Sequence, residues 1–325
     1  MSILTPSDHG EIEAAVAGAV ADGIPMEVRG HATKRGWGRP VQAEQELDLS
    51  GVSGIHLYEP EELVLSAAAG TPIGEINQAL AARNQHLAFE PPDWAPLYGG
   101  RAGEGTLGGV VACNLAGPRR IQAGAARDHL LGFTAVSGRG ETFKSGGRVV
   151  KNVTGFDLSK LITGSFGTLA VMSDITVKVL PAPEKVRTVL VFGLSGEEAR
   201  RAMSAALNSP SDVSGAAHLP AGAAARSAVD YVSGAGTGAT ALRIEGPEPS
   251  VAARTEALRK LLGEYGGTEE LHTARSRTLW AEIRDVHPLL PGSENLIWRV
   301  SVPPAGGDGP PPPGPPKTPW GGGGG

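Results

Sequence analysis

Three glycine-rich stretches with polar residues at their mouths hold most of the chemistry open to this chain of 325 residues. The first is RGHATK, residues 29–34, which follows the apolar run IPMEV. In such a turn successive backbone N–H groups can converge on an anion, because glycine reaches positive φ and lets a ligand approach closely. Gly30, Ala32 and Thr33 are small, and Arg29 and Lys34 bring positive charge. The loop can therefore receive a phosphate, although taken alone it is also an ordinary turn. The second stretch, TLGGVVACN at 106–114, sets Thr106 ahead of Gly108 and Gly109 at the start of a short apolar helix. Free N–H groups in a first helical turn suit a phosphate or the edge of a heteroaromatic ring. Close helix packing through the two glycines accounts for the same residues equally well.

The third stretch joins KNVTGFDLSKL at 151–161 to GSFGTLAV at 164–171. Lys151 and Asn152 stand at a strand end, where a polar ring would be oriented. Asp157 can cap the helix that follows, a structural role that suffices for it. Gly164, Gly167 and Thr168 form a turn whose backbone can lie against a flat ligand. Arg119 and Arg120 sit in a Gly/Pro loop, either as a solvated pair or facing an anionic ligand or a partner. Residues 104–183, with 29–40 opposite, thus read as a cradle for a flat, phosphate-bearing molecule.

Other reactive residue types have plainer explanations. His129 reads as a packed, hydrogen-bonded histidine, and no histidine pair has the i, i+4 spacing of metal ligands, so no metal site is proposed. Cys113 reads as a small buried residue. Residues 234–239, GAGTGA, imitate a dinucleotide fingerprint, but a strand (ATALRIEG) follows where a helix is required, so they read as a hairpin loop. Arg243, Arg284 and Arg299 read as structural or solvated, and no catalytic residue is assigned.

These stretches need elements to hold them. The run TPSD at 5–8 caps a first helix, with Pro6 at its first position, Ile12, Val16 and Val20 on one face, and Gly23 as its stop. IPMEVRG is a strand, and residues 46–70 read as two more joined by a turn, completing a unit of about 60 residues. Thr71 and Pro72 open a helix with Ile73, Ile76 and Leu80 at helical spacing. Pro91 and Pro92 stiffen a connector, and residues 128–146 form a hairpin around Gly138-Arg139-Gly140. After the Pro181-Ala182-Pro183 boundary come a strand (RTVLVFGL), a helix (EEARRAMSAAL), two strand candidates flanking residues 233–239, helices at about 250–263 and 276–286, and a last strand, NLIWRVSVPP.

Net charge of −5 and the lack of a Lys/Arg cluster set nucleic acid aside. The single cysteine rules out an intrachain disulfide or a cysteine-held cluster, which points to the cytoplasm. No basic leader precedes an apolar core, and no run of eighteen apolar residues could span a membrane. The tail from 305, built from Gly and Pro, reads as disordered.

The order RGHATK, AAAGTPIGEINQAL, LAFEPPDW, GTLGGVVACNLAGPRR, GAARDHLLGFTAVSGRGE, GGRVVKNVTGFDLSKLITGSFGTLAV and ITVKVLPAP resembles the FAD-binding module of the vanillyl-alcohol oxidase (PCMH) type. More narrowly it resembles the FAD-binding E subunits of bacterial glycolate oxidases. The resemblance implies an α+β fold: a PCMH-type FAD-binding domain over 1–183, in subdomains of about 1–60 and 61–183, then a smaller α+β domain over 184–304, read as truncated at its end. It implies that Arg29, Gly30, His31, Ala32, Thr33 and Lys34, with Thr106, Leu107, Gly108, Gly109 and Asn114, hold the FAD pyrophosphate and ribityl chain. Gly117, Pro118, Arg119, Arg120, Ala125 and Arg127 would flank the flavin. Lys151, Asn152, Gly155 and Asp157, with Gly167, Thr168, Leu169 and Val171, would line its flavin and adenine sides. Covalent relatives attach flavin through a histidine two residues further along than His31, so the implied FAD is non-covalent. The implied partners are a D subunit carrying its own FAD, an iron-sulfur F subunit and a small 2-hydroxy acid such as glycolate, in a cytoplasmic or peripherally membrane-associated complex. A non-catalytic assembly subunit, or a stand-alone flavoprotein such as a D-lactate dehydrogenase, is the competing expectation.

Overall fold

The computed structural model describes residues 2–37, 41–147, 155–290 and 297–303. In chain order its strands and helices begin with β1 (Ser2–Leu4), α1 (His9–Asp22), β2 (Met26–Arg29), β3 (Gln45–Asp48), β4 (Ile55–Glu59), β5 (Val64–Ala68), α2 (Ile73–Ala81) and β6 (Gln85–His86). Then follow α3 (Leu107–Ala112), α4 (Arg120–Ala123), α5 (Ala126–His129), β7 (Leu130–Ser137), β8 (Thr142–Gly146), α6 (Leu158–Ile162), β9 (Ala170–Lys178) and β10 (Leu180–Pro181). The remainder comprises β11 (Lys185–Phe192), α7 (Gly196–Leu207), β12 (Gly215–Leu219), α8 (Ala221–Ala224), α9 (Asp230–Ser233), β13 (Ala239–Gly246), α10 (Glu248–Leu262), β14 (Thr268–Leu271) and α11 (Thr273–Arg284).

Strands β1, β3 and β2 form a small parallel sheet in that order, with α1 as the crossover between β1 and β2. Asp8 caps α1 by accepting from the Glu11 N–H at 2.9 Å, so Pro6 lies outside the helix and not at its first position. Gly23, at φ 66°, ends the helix in the left-handed region where glycine is favoured. The inner face is Ile12, Val16 and Ala19; Val20 is 48% exposed, because a 3.6-residue period drifts away from strict i, i+4 spacing. Residues 46–70 hold three strand segments, β3 belonging to this sheet and β4 and β5 to the next.

The second sheet is antiparallel, in the order β4-β5-β9-β7-β8. Alternate residues of its central strands feed two cores. Leu65, Phe133, Met172 and Ile175 pack with Ile76 and Leu80 of α2, Leu107 and Val111 of α3, and Phe89. Ala68, Val136 and Val171 pack on the other side with Ile12 and Val16 of α1 and Leu47 of β3. The hairpin anticipated at 138–140 is the β7–β8 connection.

From β11 the chain forms a βαββαβ unit whose sheet runs β12-β13-β11-β14, the ferredoxin-like arrangement. Helices α7 and α10 cover one face through Ala202, Ala206, Val251 and Leu258, while α8, α9 and α11 contribute Ala224, Val232, Leu279 and Trp280 to the other. One expectation holds and one fails here. Residues 234–238 lie in the connection between the antiparallel neighbours β12 and β13, a long hairpin loop that also holds the short helices α8 and α9. The described part of NLIWRVSVPP, residues 297–303, pairs with no strand, and Ile297, Trp298, Val300 and Val302 are exposed. An alternating pattern forms a strand only where a neighbouring edge accepts its hydrogen bonds. The tail from 305 lies outside the described residues.

Candidate functional site

β2 delivers the first loop. Arg29 itself is committed inward: its Nε donates to Glu46 Oε2 at 2.6 Å and its Nη1 lies 3.0 Å from Asp48 Oδ2. Hydrogen bonding from Arg29, and then from Arg35, holds the Glu46 carboxyl below the usual carboxylate range. Arg29 thus fixes the strand end and leaves the loop's own backbone as the binding surface. Among the described residues no acceptor takes the backbone N–H of His31, Ala32, Thr33 or Lys34. The left-handed residue of this nest is Ala32, at φ 54°, not Gly30. Gly30 is required for another reason: a Cβ there would stand 2.6 Å from Thr106 Oγ1.

Lys34 supplies the charge. Its ammonium donates to Thr33 Oγ1 at 3.1 Å and lies against the open faces of Gly105 and Gly109. Burial lowers its pKa, with Cys113 and Asp93 opposing the shift. A half-buried ammonium whose hydrogen-bond partner is a hydroxyl, next to four unclaimed amides, fits an anion such as a pyrophosphate. His31 turns away, with Nδ1 donating to the Glu104 carbonyl at 2.7 Å.

The start of α3 behaves otherwise than expected. Its first N–H groups are claimed by the protein: Leu107 donates to Thr71 O at 2.9 Å, Gly108 to Ala69 O at 2.7 Å, and Gly109 to Thr106 Oγ1 at 3.2 Å. A Cβ on Gly108 would stand 2.9 Å from Ala69 O. The packing explanation holds for this end, and Leu107 is wholly buried.

A second wall comes from the turn after α6. Gly164 and Phe166 donate to the last carbonyls of α3, Val111 O at 3.1 Å and Ala112 O at 2.9 Å. Gly167, at φ 75°, would bring a Cβ 3.7 Å from Val28 of β2. The 164–168 turn is thereby set beside the 29–34 loop. Thr168 and Leu169 are exposed on this wall, whereas Val171 points into the core shared with α1. Gly155, at φ 82°, is exposed, and Asp157 caps α6 through Lys160 N–H at 3.1 Å. Lys151 and Asn152 lie outside the described residues.

Asn114 follows α3 in a left-handed conformation, φ 48°, and its Oδ1 accepts from Arg127 N–H at 3.1 Å, tying off the 114–127 loop. Within that loop Ala125 is buried, Pro118 is partly buried and Arg120 is exposed. His129 is buried as expected, donating from Nε2 to Ala123 O at 2.8 Å. Burial raises the Cys113 thiol pKa.

Arg119 turns toward the ferredoxin-like unit. Its Nη1 donates to His86 Nε2 at 2.9 Å and its Nε lies 3.2 Å from Glu245 Oε2. Arg243 makes two 2.9 Å bonds to the Glu90 carboxylate and is buried rather than solvated. This buried ion cluster was not visible in the sequence, because its members come from β6, β13 and two loops. Burial first, then the adjacent Arg119 charge, pushes the His86 pKa down to about 4. An unfolded chain would protonate this histidine near pH 6.5, so His86 stabilises the fold fully above that value and the contribution is lost as pH falls toward 4. Moving from pH 7 to pH 5 is expected to cost the wild type about 2 kcal/mol that a His86→Gln chain does not lose. Urea unfolding of both at the two pH values measures this; equal losses would contradict it.

Residues 2–146 match the FAD binding domain family. The chain is 36% identical over 288 residues to glycolate oxidase subunit GlcE of Escherichia coli strain K12, covering 88% of this chain and 71% of that protein. The chain belongs to the GlcE family of PCMH-type FAD-binding proteins. Its kinship extends to glycolate oxidase subunit GlcD of Bacillus subtilis, 27% identical over 59% of this chain and 39% of that one. The GlcE-family fold also superposes on alkyldihydroxyacetonephosphate synthase with a TM-score of 0.68 at 19% identity, covering 88% of this chain and 54% of the synthase. That likeness concerns the fold. Among the described residues no group of three or more His, Cys, Asp or Glu could hold a metal, and no helix is long and apolar enough to cross a membrane.

Proposed function

We propose that this chain is the FAD-binding subunit of a glycolate-oxidising complex. The observation that supports it most directly is the nest at residues 31–34, with its unclaimed amides and the Lys34 ammonium. In this role the nest and Lys34 hold the pyrophosphate, and Thr106, packed on Gly30, sets the height of the loop. The backbone of the 164–168 turn and the 114–120 loop lie along the ring, and Lys151 and Asn152 are proposed as further contacts to the cofactor. Bound FAD supplies a two-electron acceptor for oxidation of a 2-hydroxy acid to the 2-oxo acid. The assignment is of a non-covalent FAD, and the turn of His31 Nδ1 to the Glu104 carbonyl supports it.

The fuller assignment is a cytoplasmic heteromeric complex with a FAD-containing D subunit and an iron-sulfur F subunit, peripherally attached to the membrane. One observation favours turnover on the D subunit with this chain in a supporting role: Arg119, Arg243 and Arg284 are each drawn toward a carboxylate of the protein itself, which leaves none of the three for the substrate carboxylate. The purified full-length chain is expected to show a flavin spectrum at one equivalent, released by acid precipitation. A colourless chain that takes up no added FAD would end this assignment. Glycolate added with and without the partner subunits then locates turnover; bleaching of the isolated chain would defeat the supporting role.

A further inference from the structure

The 117–120 loop leaves α3 only a few residues after Asn114, yet its position is set from the far side, by the ferredoxin-like unit. Glu90 is the intermediary. Its backbone is left-handed, φ 48°, a conformation uncommon for a residue with a long side chain. Its carbonyl oxygen would stand 2.4 Å from a Cβ on Gly117, and its Oε2 accepts the Arg119 N–H at 3.1 Å. The Gly117 N–H donates to the neighbouring Phe89 carbonyl at 2.9 Å. Glu90 therefore meets the loop through both backbone and side chain.

The same carboxylate is gripped from behind. Arg243 on β13 is 2% exposed, forms its paired bonds to Glu90, donates from Nε to Ser214 Oγ at 3.1 Å and lies 4.7 Å from the centre of the Trp280 ring. Burying an ion pair is a weak source of stability, since desolvation offsets most of the attraction; what a bidentate pair does supply is fixed geometry. We propose that Arg243 is a positioning residue of the flavin site: it fixes Glu90, and Glu90 holds the 117–120 loop at the height the ring requires. The inference rests on the FAD assignment above. It makes the ferredoxin-like unit a clamp on the flavin from outside the residues that match the FAD binding domain family.

The test uses the full-length chain as wild type, Arg243→Lys and Glu90→Gln. Lysine keeps the charge but cannot make two parallel bonds, and glutamine keeps the shape but offers a single acceptor oxygen. Thermal unfolding, FAD affinity by fluorescence quenching, the visible circular dichroism of bound flavin and its midpoint potential are measured for each. Both variants are expected to bind FAD at least tenfold more weakly and to alter the sign or amplitude of the visible bands, with weaker protection of the Arg119 amide against hydrogen exchange. A purely structural role would shift thermal unfolding alone, and that result overturns the inference. Should Arg243→Lys fail to fold, Glu90→Gln decides by the same readouts. Wild-type FAD binding with an unchanged Arg243→Lys spectrum and affinity defeats this inference and leaves the FAD assignment standing; a wild type that binds no FAD ends both.

Discussion

Lys34→Met is expected to weaken FAD binding by roughly 30- to 150-fold, the loss of one charged hydrogen bond of about 2–3 kcal/mol in a partly desolvated site. The same change is expected to raise the melting temperature of the flavin-free chain. The reasoning turns on what Lys34 touches. Its ammonium has a hydroxyl for a hydrogen-bond partner, and burial lowers its pKa, so the folded apo-protein bears a desolvation cost that the unfolded chain does not. A lysine with a depressed folded pKa withdraws stability as pH falls below its unfolded value, so the cost is already felt at neutral pH. Methionine removes it together with the anion's partner. Flavin titration and thermal unfolding of the apo-protein measure the two effects. Unchanged affinity, or a less stable apo-protein, would show that Lys34 is a structural residue.

Gly70→Ala is expected to be a severely damaging single-methyl change in the flavin half, destabilising it by about 3 kcal/mol or more and lowering the melting temperature by roughly 6–12 °C. A Cβ on Gly70 would stand 2.0 Å from Leu49 O and 2.6 Å from Val52 O. Both obstacles are backbone, so no rotamer change relieves them. Gly70 also donates its N–H to Val52 O at 2.9 Å, and the preceding residue, Ala69, receives the Gly108 bond that seats α3. Displacing this junction moves Thr106 and with it the floor under Gly30. The melting temperature with and without FAD tests this: a Gly70→Ala chain within 2 °C of wild type would refute the tight packing.

Features decided within a few residues were legible in the sequence. Asp8 and Gly23 bound α1, Thr106 and Asp157 cap their helices, and the 138–140 turn closes its hairpin, each by local hydrogen bonding or φ preference. What escaped was non-local. Thr106 announces a helix start, but nothing nearby says that Ala69 and Thr71 will consume the amides an anion would have used. Arg119 is followed by Arg120 in a loop, while its carboxylate, Glu245, lies far along the chain on β13. TEEL gives little sign of a strand, since β14 is a polar edge strand paired on one side, and the alternating residues 297–302 have the period without a partner. The nest at 31–34 was legible as a nest; that its turn depends on Ala32, and its glycine on Thr106, required the fold.

The strand order β4-β5-β9-β7-β8 has a consequence for how the chain is made. β9 lies between β5 and β7, so when residues 64–68 and 130–137 have been synthesised the place between them is still vacant. Loop closure across the intervening hundred or so residues has to precede the contacts that reward it. On the ribosome the flavin half therefore cannot close its central sheet until Lys178 has emerged, after the 164–168 turn that stands beside the 29–34 loop. Residues 2–146, the stretch that matches the FAD binding domain family, end before that strand, and a fragment cut there would be a sheet with its middle missing.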